Sequence, residues 1–154
     1  MAVGETWVTV TGYVTSEPDL RKVGENGHDV VSFWLRSTER RYDKEKGEWG
    51  DGRRFSVRVT CWRKLARSVH QCLAKGDPVV ARGRLYSSEF ELDGVPRAVP
   101  ELEAFAIGPN LARCTVTLDR APREGVTVRD PRGLWTDGGE EANTLFDAVE
   151  KASA

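Results

Sequence analysis

The hydrophobic period of this chain changes twice between residues 54 and 90, and that pair of switches constrains its fold more than any other feature. Residues 54–62 alternate. Phe55, Val57, Val59 and Cys61 fall on one side, and Ser56, Arg58, Thr60 and Trp62 on the other. Period two is the pattern of a half-buried β-strand. From Arg63 the apolar residues are Leu65, Ala66, Val69, Cys72 and Leu73, the i, i+1, i+4, i+7, i+8 stripe of an amphipathic helix. Lys75 and Gly76 supply its C-terminal stop. Residues 79–90 return to period two, with Val79, Ala81, Gly83 and Leu85 inward and Arg82, Arg84, Tyr86, Ser88 and Phe90 outward.

Two further strands precede this block. Residues 7–14 place Val8, Val10 and Val14 on one face, and residues 29–38 place Val31, Phe33 and Leu35 opposite Ser32, Trp34 and Arg36. The polar, Gly-punctuated stretch 38–53 reads as a long hairpin loop. After residue 90, Asp93 and Gly94 mark a turn, residues 95–107 form a fifth strand weakened by Pro96 and Pro100, and residues 112–118 offer an extra C-terminal strand. Three strands, one helix and two strands is the order of a five-stranded OB barrel, a mainly β fold whose helix lies between strands three and four.

The 154 residues suit one domain, and the 39% hydrophobic content is that of a folded chain. No apolar run approaches the roughly 20 residues of a membrane span, and the N-terminus lacks a secretory signal pattern. Three cysteines at unrelated spacings fit a reducing, cytoplasmic setting rather than a disulfide framework. The charge is uneven. From Leu134 onward Lys151 stands alone against Asp137, Glu140, Glu141, Asp147 and Glu150, so this stretch carries −4 and the remainder +3. Gly and Pro crowd residues 121–139. These shifts divide the chain into a folded body, 1–120, and a short linker with an acidic, partly disordered tail, 121–154.

The outward faces carry the functional signal. Three strands set large aromatics beside arginines on the side away from the core: Trp34 with Arg36, Trp62 with Arg58, and Tyr86 and Phe90 with Arg82 and Arg84. The stretch between strands two and three repeats the mixture with Arg40, Arg41, Tyr42, Trp49 and Arg54, though its acids nearly balance its bases. Single-stranded nucleic acid suits this combination, because bases stack on aromatic rings and arginines track phosphates. Aromatics on an outer face also suit packing against another subunit, the reading given to Trp7 and Tyr13.

In its ordered series of motifs the body resembles the bacterial-type single-stranded DNA-binding protein family. The matching stretches are Val8-Thr-Val-Thr-Gly12 with Pro18, Asp29-Val-Val-Ser-Phe-Trp-Leu35, Arg41-Tyr-Asp43 with Gly47-Glu-Trp49, and Phe55-Ser-Val-Arg-Val-Thr-Cys-Trp-Arg63. The helix at 65–76, Val79-Val-Ala-Arg-Gly-Arg-Leu85 leading to Phe90, and Ile107-Gly-Pro-Asn-Leu111 complete it. The resemblance covers about residues 5–112. It implies an OB fold, no catalysis, sequence-independent binding of single-stranded DNA in replication, recombination or repair, a homotetramer, and a cytoplasmic, nucleoid-associated location. It also implies base stacking at Trp34, Trp62 and Phe90, with Tyr42 less securely aligned. The end of the chain, Asn143 to Ala154, lacks the acidic Pro-Phe tip through which family members recruit other proteins. The resemblance is therefore to a paralogue, and tail-mediated recruitment is not expected.

No other chemistry is legible. His28 and His70 have no carboxylate or thiol motif nearby, the cysteine spacings match no zinc site, and there is no phosphate loop, so neither catalytic residues, metal nor cofactor is expected. Cys61 and Cys72 fall on apolar stripes and suit core packing, while Cys114 lies on the last expected strand, where an intersubunit disulfide is one hypothesis. Two alternatives to DNA binding stay open at this level: an RNA-binding OB module, because stacking does not separate ribose from deoxyribose, and a protein-interaction OB domain such as a primosomal-type subunit.

Overall fold

Alternation decides the interior. Val31, Phe33 and Leu35 are fully buried while Trp34 between them is exposed, and Val57, Val59 and Cys61 repeat the pattern around Arg58. The computed structural model describes residues 2–120 and, as backbone, Thr127–Arg129 and Trp135–Asp137. Its elements run β1 (Thr6–Val14), β2 (Asp19–Val23), β3 (His28–Asp43), β4 (Glu48–Trp62), α1 (Arg63–Cys72), β5 (Pro78–Leu92), β6 (Val95–Pro109), β7 (Thr127–Arg129) and β8 (Trp135–Asp137).

The main sheet has the order β1-β5-β6-β4-β3-β2. β1 also pairs with β3, at Tyr13↔Arg36 and Val14↔Leu35, so five strands close into the OB barrel and β2 flanks it outside the ring. The β4–β6 contact is parallel and short, Arg58 to Thr60 against Glu101 to Glu103. Val10 and Val14 of β1, Val79 and Ala81 of β5, and Leu102 and Ala104 of β6 complete the interior, with Ala66 and Val69 of α1 against it. Gly83 permits a close approach: a Cβ there would collide with the Glu103 carbonyl, at a β5–β6 register shift that leaves Phe105 unpaired and pointing outward. The chain forms two compact units, Met1–Val116 and Thr117–Ala154. Within the second, β7 and β8 pair antiparallel.

Several local expectations are corrected. The stretch 38–53 is not a loop. β3 and β4 stay paired out to Asp43↔Glu48, with a bulge after Thr38, and form a projecting two-stranded arm. The turn at its end is set by Asp43, whose side chain accepts from the backbone of Glu45 (2.9 Å), and by Gly47, at φ +66°. An arm with no core beneath it has no apolar face, so alternation could not show it. β2 was invisible for the same reason, since all five of its residues are exposed. Phe55, expected inside, is exposed because it lies on β4 before the three-residue β6 contact begins.

The helix ends at Cys72, earlier than Lys75 and Gly76 suggested, and Cys72 is exposed. The following backbone is drawn to β1 by hydrogen bonds from Gly76 to the Val14 carbonyl (2.7 Å) and from Val14 to the Asp77 carbonyl (2.9 Å). Pro96 and Pro100 interrupt nothing, because over residues 95–100 β6 has only β5 beside it, and a missing N–H on the open side costs no ladder bond. Residues 112–118 are not a strand. Asn110 closes a turn, accepting from the Ala112 backbone with its side chain (3.1 Å) and from the Arg113 backbone with its carbonyl (3.0 Å), and Val116 and Leu118 beyond it are exposed. The additional C-terminal strands lie further on, at β7 and β8. The acidic end at residues 138–154 lies outside the described residues.

Candidate nucleic-acid interface

One row of cross-strand partners crosses four strands. Trp34 of β3 faces Arg58 of β4, Arg58 faces Glu101 of β6, and Glu101 faces Tyr86 of β5. Directly paired residues project to the same side of a sheet, so all four stand on the outer face. Trp34 is 38% exposed, and its backbone is held by the segment after β1. Its N–H donates to Ser16 Oγ (2.8 Å), and its carbonyl accepts from the Thr15 N–H (2.8 Å). Trp34, Arg58 and Phe90 line one open groove of about 520 Å³, together with Ser16, Ser32, Ser88 and Val99 and with two acids, Glu17 and Asp19. The groove thus brings together three of the sequence-derived site residues from three strands.

The charges on this face are unequal in availability. Glu101 is only 8% exposed and accepts a hydrogen bond from Thr60 Oγ1 (2.7 Å), so this carboxylate forms part of the floor. Burial, and then the Glu101 carboxylate beside it, push the Tyr86 hydroxyl above its ordinary range and keep it neutral. Among the described residues Arg36, Arg41 and Arg58 make no ion pair. Arg40 and Arg54 share Asp51, at 2.9 and 3.9 Å. Arg84 is committed to its neighbours: Glu5 foremost, with Glu103 at 2.9 Å, holds its guanidinium charged, and it lies 5.1 Å from the Phe105 ring centroid.

The remaining aromatics are dispersed. Trp62 stands at the junction of β4 and α1, exposed and apart from the groove lining. Tyr42 and Trp49 are cross-strand partners on the arm, with ring centroids 5.4 Å apart. Sequence reasoning missed the segment 16–19, which carries no aromatic or basic signal, and Phe105, whose outward direction depends on the register shift at Gly83.

Residues 6–110 match the model of the Single-strand binding protein family. The chain belongs to that family. Among relatives of the chain, the single-stranded DNA-binding protein of Mycobacterium leprae is 39% identical over 123 residues, covering 79% of this chain and 73% of that protein. The one from Paenarthrobacter nicotinovorans is 38% identical over 143 residues, covering 91% and 84%. The structure of the small single-stranded DNA-binding protein from Streptomyces coelicolor matches with a TM-score of 0.66 at 36% identity, covering 73% of this chain and all of that one.

On the far side of the Glu101–Glu103 column, the outer face of the chain carries a second aromatic pair. Trp7 and Phe105 have ring centroids 5.2 Å apart, and Arg82 lies 5.6 Å from the Trp7 ring while donating to Thr9 Oγ1 (3.3 Å). With Arg84 neutralised by its two carboxylates, this patch is aromatic and has little net charge.

Proposed function

We propose that the chain binds single-stranded DNA without sequence selectivity and protects strands exposed during replication, recombination or repair. The groove that brings Trp34, Phe90 and Arg58 together carries this reading. Aromatic surfaces accept any base, because every base has a π-face, and each stacked base contributes about 1–3 kcal/mol. Arg58 and Arg36 supply phosphate contacts beside Trp34, and the arm extends the same chemistry with Tyr42, Arg41, Arg40 and Arg54. Trp62 and Tyr86 add aromatic surface at the margins. The role is binding and requires no catalysis or cofactor. Membership of the single-strand binding protein family and the likeness to single-stranded DNA-binding proteins support it.

The Trp7–Phe105 patch suits contact between copies of the chain, and we assign it to subunit packing in a homotetramer that works in the cytoplasm. No helix among the described residues is long and apolar enough to cross a membrane.

Fluorescence anisotropy of a labelled oligo-dT tests the reading. Unlabelled oligo-dT should displace the probe at stoichiometric excess, and duplex DNA of the same length should not. A duplex that competes equally would contradict the stacking mechanism, because paired bases offer no free faces. A matched RNA that outcompetes DNA would redirect it to an RNA-binding module.

A further inference from the structure

A second open groove of about 460 Å³ lies on the same outer surface, where β1 meets β3 at the root of the arm. Thr11, Tyr13, Thr38, Arg40, Asn110 and Arg113 line it, with Asp51 held against Arg40. Tyr13 is half exposed and makes no ring contact among the described aromatics. Arg113 is exposed and makes no ion pair among the described residues. The groove therefore repeats the pairing of a bare aromatic with an unengaged guanidinium, that of Arg113, beside the Asp51-held Arg40.

Register joins it to the first groove. Tyr13 of β1 and Arg36 of β3 are direct partners, so their side chains share a face. Arg36 is two residues beyond Trp34 on the same strand, hence on the same side and about 7 Å along it. An arginine with no ion pair among the described residues thus stands between the Trp34 groove and the Tyr13 groove, with no carboxylate facing it in the register: its β4 partner is Ser56. We propose that a single strand seated between Trp34 and Phe90 continues across Arg36 into this second groove. There Tyr13 takes a further base, and Arg40 and Arg113 take phosphates. The inference rests on the proposed single-stranded DNA binding and places Tyr13 on the DNA path rather than at the subunit contact expected from its alternation.

The test is the length dependence of oligo-dT binding by the full chain, read by anisotropy, for the parent, Tyr13→Ser, Tyr13→Phe and Arg113→Ser. Short oligomers that fill only the first groove should bind all four alike. As length grows, the parent and Tyr13→Phe should tighten together. Tyr13→Ser and Arg113→Ser should lag by about tenfold and occupy fewer nucleotides at saturation. Tyr13→Ser and Arg113→Ser that track the parent at every length would overturn the second groove while leaving the first intact. So would an equal loss on short and long oligomers accompanied by a changed mass in sedimentation, which would place Tyr13 and Arg113 between copies. A parent that binds no oligomer of any length would overturn both readings together.

Discussion

Trp34 of β3 and Arg58 of β4 are direct antiparallel partners, so a stacking surface and a guanidinium with no ion pair among the described residues leave the sheet on the same side about 4.8 Å apart. Their contributions should separate in a salt titration. Arg58→Gln should weaken oligonucleotide binding and reduce the slope of log affinity against log salt by about 0.7, the value of one phosphate contact on a single strand. Trp34→Ala should weaken binding by about 1–3 kcal/mol and leave that slope unchanged. Equal slopes in both variants and the parent would mean that Arg58 does not meet phosphate.

Gly83 lets β5 and β6 approach where the register shifts, and a Cβ there would meet the Glu103 carbonyl. Backbone cannot move aside as a flexible side chain can. Gly83→Ala is expected to cost about 1–3 kcal/mol in urea unfolding. Gly108→Ala, on the same pair of strands with open space around it, should stay within about 0.5 kcal/mol. Equal unfolding midpoints would contradict the close approach.

Asp29 ties β2 and α1 to β3. Hydrogen bonds from Lys22 and Arg67, both 3.0 Å, hold its carboxyl below the ordinary carboxylate range. A depressed folded-state value means that the folded chain holds fewer protons than the unfolded chain in the acid range. The stabilisation is then complete above the ordinary value, near about 4, and is lost as pH falls through the folded-state value. Asp29→Asn should melt below the parent at pH 7, with the gap narrowing as pH drops below about 4. A gap independent of pH would show that the two cations contribute nothing through charge.

Cys61 is fully buried, and burial pushes its thiol up to about 12. Thiolate is the reactive form, so at pH 8 an aromatic disulfide reagent should leave Cys61 unmodified in the folded protein. Cys72 is exposed at the end of α1 and should react first, so Cys72→Ser should remove the fast phase. Cys114 is half-buried and donates to the Asn110 carbonyl at 3.3 Å, and it should follow more slowly. Rapid modification of Cys61 without denaturant would reveal a core that opens.

Legibility in the sequence followed burial. Where a strand has one face on the core, period two located it: Val31, Phe33 and Leu35 inward imply Trp34 and Arg36 outward, and Val57, Val59 and Cys61 imply Arg58. The same parity placed Phe90 on the side it occupies. Where no core lies beneath, the pattern had nothing to record, hence the arm beyond Thr38 and the exposed β2. Convergence was also illegible. Which outer residues share a groove depends on the register that sets Trp34 against Arg58 and on the β5–β6 hairpin that brings Phe90 to them. The commitment of Arg84 to Glu5 and Glu103 joins residues 79 and 19 positions away in sequence, beyond the reach of local pattern.

The central claim is that bases stack on the outer aromatics beside free arginines. The most direct test is intrinsic tryptophan fluorescence of the full chain titrated with oligo-dT at low and high salt, for the parent and for Trp34→Phe. The account predicts saturable quenching at low salt that weakens as salt rises and is reduced in Trp34→Phe. No quenching at low salt would contradict it and would mean that Trp34 and its neighbours face protein instead.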